Sequence, residues 1–236
     1  MSRNDIDAKV EEVFVHFFPD FPQRVFLPPL DDVVEGFTER YKIPFYFDYD
    51  LGIGDGGKKI LGRFDFHPRA IFVDRSLRRN GPRFRWTLAH EIGHLVLHRN
   101  ITKDGECISR EPRLVDTRTE LRYGKKAKYS DLQWIEWQAS QFAAAMILPR
   151  AALCVQLVRF QKSELHLGNA GRIYVDDQPV NRHLYRQTIE HLIRVFNTSV
   201  TILHRRLQDL GLLQDDRSEN RARIGYLMKS LLDTDW

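Results

Sequence analysis

One stretch of the chain, FRWTLAHEIGHLVLH at residues 84–98, has to serve two ends at once. Leu88, Ile92 and Leu95 recur at helical spacing, so one face of this segment must pack into a core. His90 and His94 are four residues apart, and on a helix both imidazoles emerge on the same side, one turn above the other. The pattern His90-Glu91-Ile92-Gly93-His94 is HExxH, whose spacing can place two nitrogens on one metal ion.

A catalytic zinc needs one more protein ligand and an open position for water. The best candidate is Glu136, near the start of a second predicted helix, EWQASQFAAAMIL. There Ala139, Ser140 and Ala143 share the face of Glu136, and small side chains allow one helix to approach another closely. Glu91 is one residue from a ligand and points elsewhere, which suits it to take a proton from zinc-bound water and pass it to a leaving amine. His98 lies eight residues beyond His90, about 12 Å along a helix, too far to share that ion. It is expected at the helix end, where partial positive charge is favoured.

The other site positions stay open. Asp131, Asp116 and Glu120 are candidates to support a ligating histidine, with no spacing to choose among them. Tyr123, Tyr174, His183, Tyr185 and His204 are candidates to steady an oxyanion. Cys107 reads as a plain free thiol, with a thiolate that caps zinc in a resting state as the alternative, and Cys154 as a core residue. Trp134 and Trp137 flank Glu136 and either support the cleft or simply pack.

Around these helices the expected class is α+β. Two short helices, divided by Pro19, Pro22, Pro28 and Pro29, fill the first forty residues. Strands are expected over the aromatic run Phe45–Tyr49, over Ile60–Phe66 and over Ala70–Asp74, with LGIGDGG as a loop or hairpin turn between the first two. Helices are expected over about 83–98 and 132–148, the latter stopped by Pro149. RIYV at 172–175 reads as one more short strand, and the chain from His183 onward as helical, with Val200, Leu203, Leu207 and Leu210 along one face and Gly211 as a C-cap. The expected division is a zincin-like metallopeptidase core over 1–180, its small β-sheet packed on the ligand-bearing helices, and a mainly helical region over 181–236.

Composition narrows the classes. Of 236 residues 42% are hydrophobic and 29% charged, ordinary for a folded chain. Two cysteines cannot build a disulfide framework or a four-thiolate zinc site. No apolar window is long enough to cross a bilayer and no secretory h-region opens the chain, so the expected compartment is the cytoplasm. The net charge of +4 is small, but residues 69–85 carry six arginines against Asp74, and residues 110–128 seven bases against three acids. Such flanks suit solvated loops, an acidic protein segment or nucleic-acid phosphate.

Three stretches carry a family resemblance: RFRWTLAHEIGHLVLH at 83–98, EWQASQFAAAMILP at 136–149 and FNTSVTILHRRLQDLGLL at 196–213. The chain resembles the ImmA/IrrE family of zinc-dependent metallopeptidases over about residues 35–213. The resemblance implies Zn2+ held by His90, His94 and Glu136, with Glu91 as general base. It also implies a protein substrate, a separate helix-turn-helix repressor or antitoxin-like regulator. The 37 residues between His98 and Glu136 look longer than the family's usual link, which bears on substrate access. Two other readings stand beside it: a regulator that binds a partner or DNA with zinc in a structural role, and a hydrolase of a non-peptide amide.

Overall fold

The computed structural model describes residues 1–20, 30–54, 57–66, 68–79, 81–98 and 131–218. The chain opens with α1 (Arg3–Phe17), started by a capping box in which the Asp5 amide donates to Ser2 Oγ and the Ser2 amide to Asp5 Oδ2. Ile6, Val10 and Phe14 form its buried stripe, and Leu30, Val33 and Phe37 that of α2 (Leu30–Tyr41). These are the two expected amino-terminal helices.

The three expected strands are present as β1 (Phe45–Tyr49), β2 (Gly62–Phe66) and β3 (Arg69–Asp74). They form one sheet in the order β1-β3-β2, with β1 parallel and β2 antiparallel to β3. Ile71 and Val73 are fully buried and face the helices. On the other face Tyr46, Phe72 and Arg63 stand side by side in register, the Tyr46 ring stacked 4.8 Å from Phe72 and the Arg63 guanidinium 4.6 Å above it. At the glycine-rich segment Gly52 and Gly57 take positive φ, and Ile53 forms an antiparallel bridge with Lys59. Buried Asp74 clasps it to the sheet, accepting from the amides of Leu51 and Ser76 and facing Lys59 Nζ at 3.1 Å.

Helix α3 (Pro82–His98) lies against β2 and β3, and α4 (Asp131–Ile147) crosses it. As expected, Leu88, Ile92 and Leu95 are buried in the core. The helical run does not stop for good at Pro149. It bends by 46° and resumes as α5 (Arg150–Ser163), with Pro149 at the N-cap, where a missing amide costs little. On α5 the buried side chains are Ala152, Leu153, Leu157 and Gln161; Cys154, expected in the core, is only half-buried.

The expected strand near 172–175 is β4 (Ile173–Val175), and it pairs in parallel with an unexpected one, β5 (Leu213–Asp215). Between them run α6 (Pro179–Phe196) and α7 (Val200–Asp209). Asn197 ends α6 in the left-handed conformation and Ser199 caps α7, accepting from the Ile202 amide. Gly211, at φ +68°, closes α7 as expected. Leu203 and Leu207 are buried, whereas Val200, at the first helical position, is 55% exposed rather than part of the apolar face.

A single hydrophobic cluster joins residues of all these helices with β2, β3, β4 and β5. Arg206 of α7 ties distant segments together. It is 2% exposed, its Nε donates to the Leu148 carbonyl, and Nη1 lies 2.9 Å from Asp7 Oδ1 of α1. Among the described residues no single helix is long and apolar enough to cross a membrane.

Candidate metal centre

The α3–α4 crossing depends on small residues on both helices. Ala139 and Ala143 are fully buried on α4, and a Cβ added to Gly93 of α3 would stand 3.2 Å from the Cα and the carbonyl oxygen of Ala139 and from Cβ of Phe142. The expected small face of α4 is therefore met by a glycine on α3. At this separation the side chain of Glu136 spans to the histidine pair.

His90, His94 and Glu136 come together, each offering one donor atom, with all three donors within 4.8 Å of one another. His90 Nε2 lies 3.1 Å from His94 Nε2 and 3.2 Å from Glu136 Oε2, and His94 Nε2 lies 3.6 Å from Glu136 Oε1. Ligands at about 2.0–2.1 Å from a tetrahedral ion sit roughly 3.3–3.4 Å apart. The observed separations bracket that edge length, so these residues fit a zinc ion. Among the described residues this is also the one group of histidine, cysteine and carboxylate side chains so arranged.

The electrostatics favour the protonation states that a metal needs. Burial pushes the His94 imidazole down to about 4, so the ring is neutral at physiological pH. Burial acts in the opposite sense on Glu136, yet its interactions with the two imidazoles, His90 at hydrogen-bond distance and His94 just beyond it, outweigh burial and hold the carboxyl well below the usual carboxylate range. The neutral His94 imidazole and the anionic Glu136 carboxylate are the deprotonated forms in which such groups bind a metal.

Glu91 lies apart from the three donors. It is 4% exposed, and a Cβ on Gly62 of β2 would come within 2.6 Å of its Oε1 and of Thr87 Cγ2. The Glu91 carboxylate is thus held between α3 and the β2 backbone. Sequence reasoning gave no role to Gly62, or to Gly93 beyond its place in the motif; a helical glycine that caps nothing was the available sign of close approach.

The remaining candidates fall elsewhere. His98 is the last residue of α3, as expected, but it is buried to 1% exposure and lies 3.0 Å from His94 Nδ1 through its own Nδ1. Gln138, which the sequence did not single out, completes that contact from α4. Trp134 and Trp137 stack on each other at 4.7 Å. Tyr185 and His204 gather at the end of β5, where the Arg217 guanidinium lies over Tyr185 and His204 faces Asp215. Tyr174 is 44% exposed and His183 is exposed. Of the arginines in 69–85, Arg85 is buried while Arg69, Arg75, Arg78, Arg79 and Arg83 are exposed, Arg75 pairing with Asp50. Cys107, Asp116, Glu120, Tyr123 and the basic stretch 110–128 lie outside the described residues, as does the side chain of Asp131.

No curated protein is significantly similar to the chain. The family profile of Peptidase M78, described as the IrrE N-terminal-like domain, matches residues 55–208. That span holds the sheet strands β2 and β3, both helices of the donor cluster and the whole cluster, and the chain belongs to this peptidase family.

Proposed function

We propose that the chain is a zinc-dependent endopeptidase with a zincin-like core. The observation that carries this reading is the convergence of His90 Nε2, His94 Nε2 and the Glu136 carboxylate, with the two nitrogens 3.1 Å apart, His90 Nε2 3.2 Å from Oε2 and His94 Nε2 3.6 Å from Oε1. These three side chains would hold the ion and leave a fourth position for water. When bound, zinc supplies Lewis acidity, polarising a scissile carbonyl and lowering the pKa of its water. Glu91 acts as general base, accepting the proton of the attacking water and delivering it to the leaving amine. Packing against Gly62 keeps its carboxylate in one place, which spares the entropy of ordering it during the reaction.

For the substrate, the reading extends to a helix-turn-helix repressor or an antitoxin-like regulator, cleaved in the cytoplasm. It is supported by the resemblance of residues 83–98 and 136–149 to the ImmA/IrrE peptidases. The test is zinc stoichiometry on the purified chain, then incubation with the helix-turn-helix regulator encoded nearest to it. Chelator and a Glu91→Gln variant serve as controls. Cleavage that needs both zinc and Glu91 is expected. DNA or regulator binding that survives Glu91→Gln, with no cleavage under any condition, would favour the non-catalytic regulator with structural zinc instead.

A further inference from the structure

Each imidazole at the centre has a second nitrogen, and that of His94 opens a buried hydrogen-bonded chain. His94 Nδ1 lies 3.0 Å from His98 Nδ1, and His98 Nε2 lies 3.0 Å from Gln138 Oε1. His98 is 1% exposed and Gln138 9%. The chain therefore runs from α3 to α4 beneath the donor cluster, shielded from water.

Proton counting fixes its direction. An amide oxygen only accepts, so the proton on the outer contact belongs to His98 Nε2. With His98 neutral, that is its one proton, which leaves His98 Nδ1 as an acceptor. The proton between the two Nδ1 atoms is then that of His94. His94 Nε2, the atom that faces His90 and Glu136, is left with a bare lone pair. The opposite tautomer would put a hydrogen where the ion has to be.

We propose that His98 and Gln138 are positioning residues that hold His94 as its Nδ1–H tautomer, with the Nε2 lone pair directed at the metal. The proposal rests on the zinc reading above. It gives α4 two tasks, a direct donor in Glu136 and an outer anchor in Gln138. It also explains why a histidine too far along α3 to share the ion is buried beside it.

The test uses the full chain and zinc itself. Zinc affinity is measured by chelator competition for wild type, His98→Leu, His98→Asn and Gln138→Met. The tautomer of His94 is read from long-range 1H–15N correlation of the imidazoles in the metal-free protein. Expected are an Nδ1–H His94 in wild type, affinity about 10–100-fold weaker in His98→Leu and Gln138→Met, and substantial recovery in His98→Asn, whose side-chain oxygen can accept in place of Nδ1. If His98→Leu fails to fold, Gln138→Met and the wild-type tautomer decide the matter. Wild-type affinity in the Leu and Met variants, an Asn variant as weak as Leu, or an Nε2–H His94 would overturn the proposal alone. A wild-type chain that binds no zinc would overturn the metal reading as well.

Discussion

Gly93 of α3 sits directly against the backbone of Ala139 on α4, where a methyl group would be crowded: an added Cβ would lie 3.2 Å from both the Ala139 Cα and its carbonyl oxygen, so the helices would have to part by a few tenths of an ångström. A glycine inside a helix costs about 1 kcal/mol relative to alanine, so this position trades helix stability for a short interhelical distance. That distance lets the Glu136 side chain end among two imidazoles instead of short of them.

Gly93→Ala therefore sets two effects against each other. Better helix propensity contributes about 1 kcal/mol, while overpacking against backbone costs about 1–3 kcal/mol. A small net loss in the thermal melt is expected, together with zinc binding weakened at least about tenfold, the scale seen when the support of a ligand is disturbed. Chelator competition beside a melting curve separates the two. Unchanged affinity would mean that Gly93 does not set the donor geometry.

Glu136→Ala and Glu91→Gln should part company. The first removes a donor and is expected to abolish stoichiometric zinc. The second removes only the proposed base, so zinc is expected to stay while turnover falls about 10²–10⁴-fold. Atomic absorption on both variants, with a cleavage assay, checks this. Zinc lost from Glu91→Gln would give Glu91 a structural role.

Gly62→Ala attacks Glu91 from the other side. The new methyl group would meet Glu91 Oε1 and Thr87 Cγ2 at 2.6 Å, so the carboxylate or the strand has to move. The expected result is a stability loss of about 1–3 kcal/mol and a fall in kcat, with zinc content unchanged. A variant as active as wild type would show that the Glu91 position tolerates displacement.

Asp74 gives the fold an acid dependence remote from the centre. Burial raises its pKa, but the Ser76 hydroxyl, the Leu51 and Ser76 amides and Lys59 overcome this and hold it at about 2, below its ordinary 3.8. A depressed carboxyl stabilises the fold fully above the unfolded value and loses that contribution as pH falls through the folded one. Asp74→Asn should cost about 2 kcal/mol at neutral pH, and the gap to wild type should shrink between about pH 4 and pH 2. Denaturant titrations at several pH values measure it, and a gap independent of pH would refute the assignment.

The legible parts of this molecule were those whose signal is local. The periodic apolar positions of α1, α2 and α3 and the aromatic run of β1 announced their elements, and the HExxH spacing with Glu136 named the three donors that converge. What stayed hidden depends on neighbours far along the chain. Three residues of β5 show no alternation, and they become a strand only because β4 lies alongside. Pro149 reads as a stop, yet it also serves as the N-cap of α5. Val200 fits the helical stripe of α7, but no element covers the helix start at that point. Gln138 and Gly62 carry no motif, and their importance comes from the α3 side chains they touch.

The Arg206 tie has a consequence for how the polypeptide is made. Asp7 and Leu148 are translated well before Arg206, and so are His90, His94 and Glu136. At elongation rates of about 5–20 residues per second, the nascent polypeptide holds all three donors for roughly 4–14 s before the guanidinium that links Asp7 to Leu148 exists. Synthesis order thus opens an interval in which the three donors exist before the Arg206 cross-link can form, and stalling between residues 136 and 206 would leave a chain that has its donors but not that clasp.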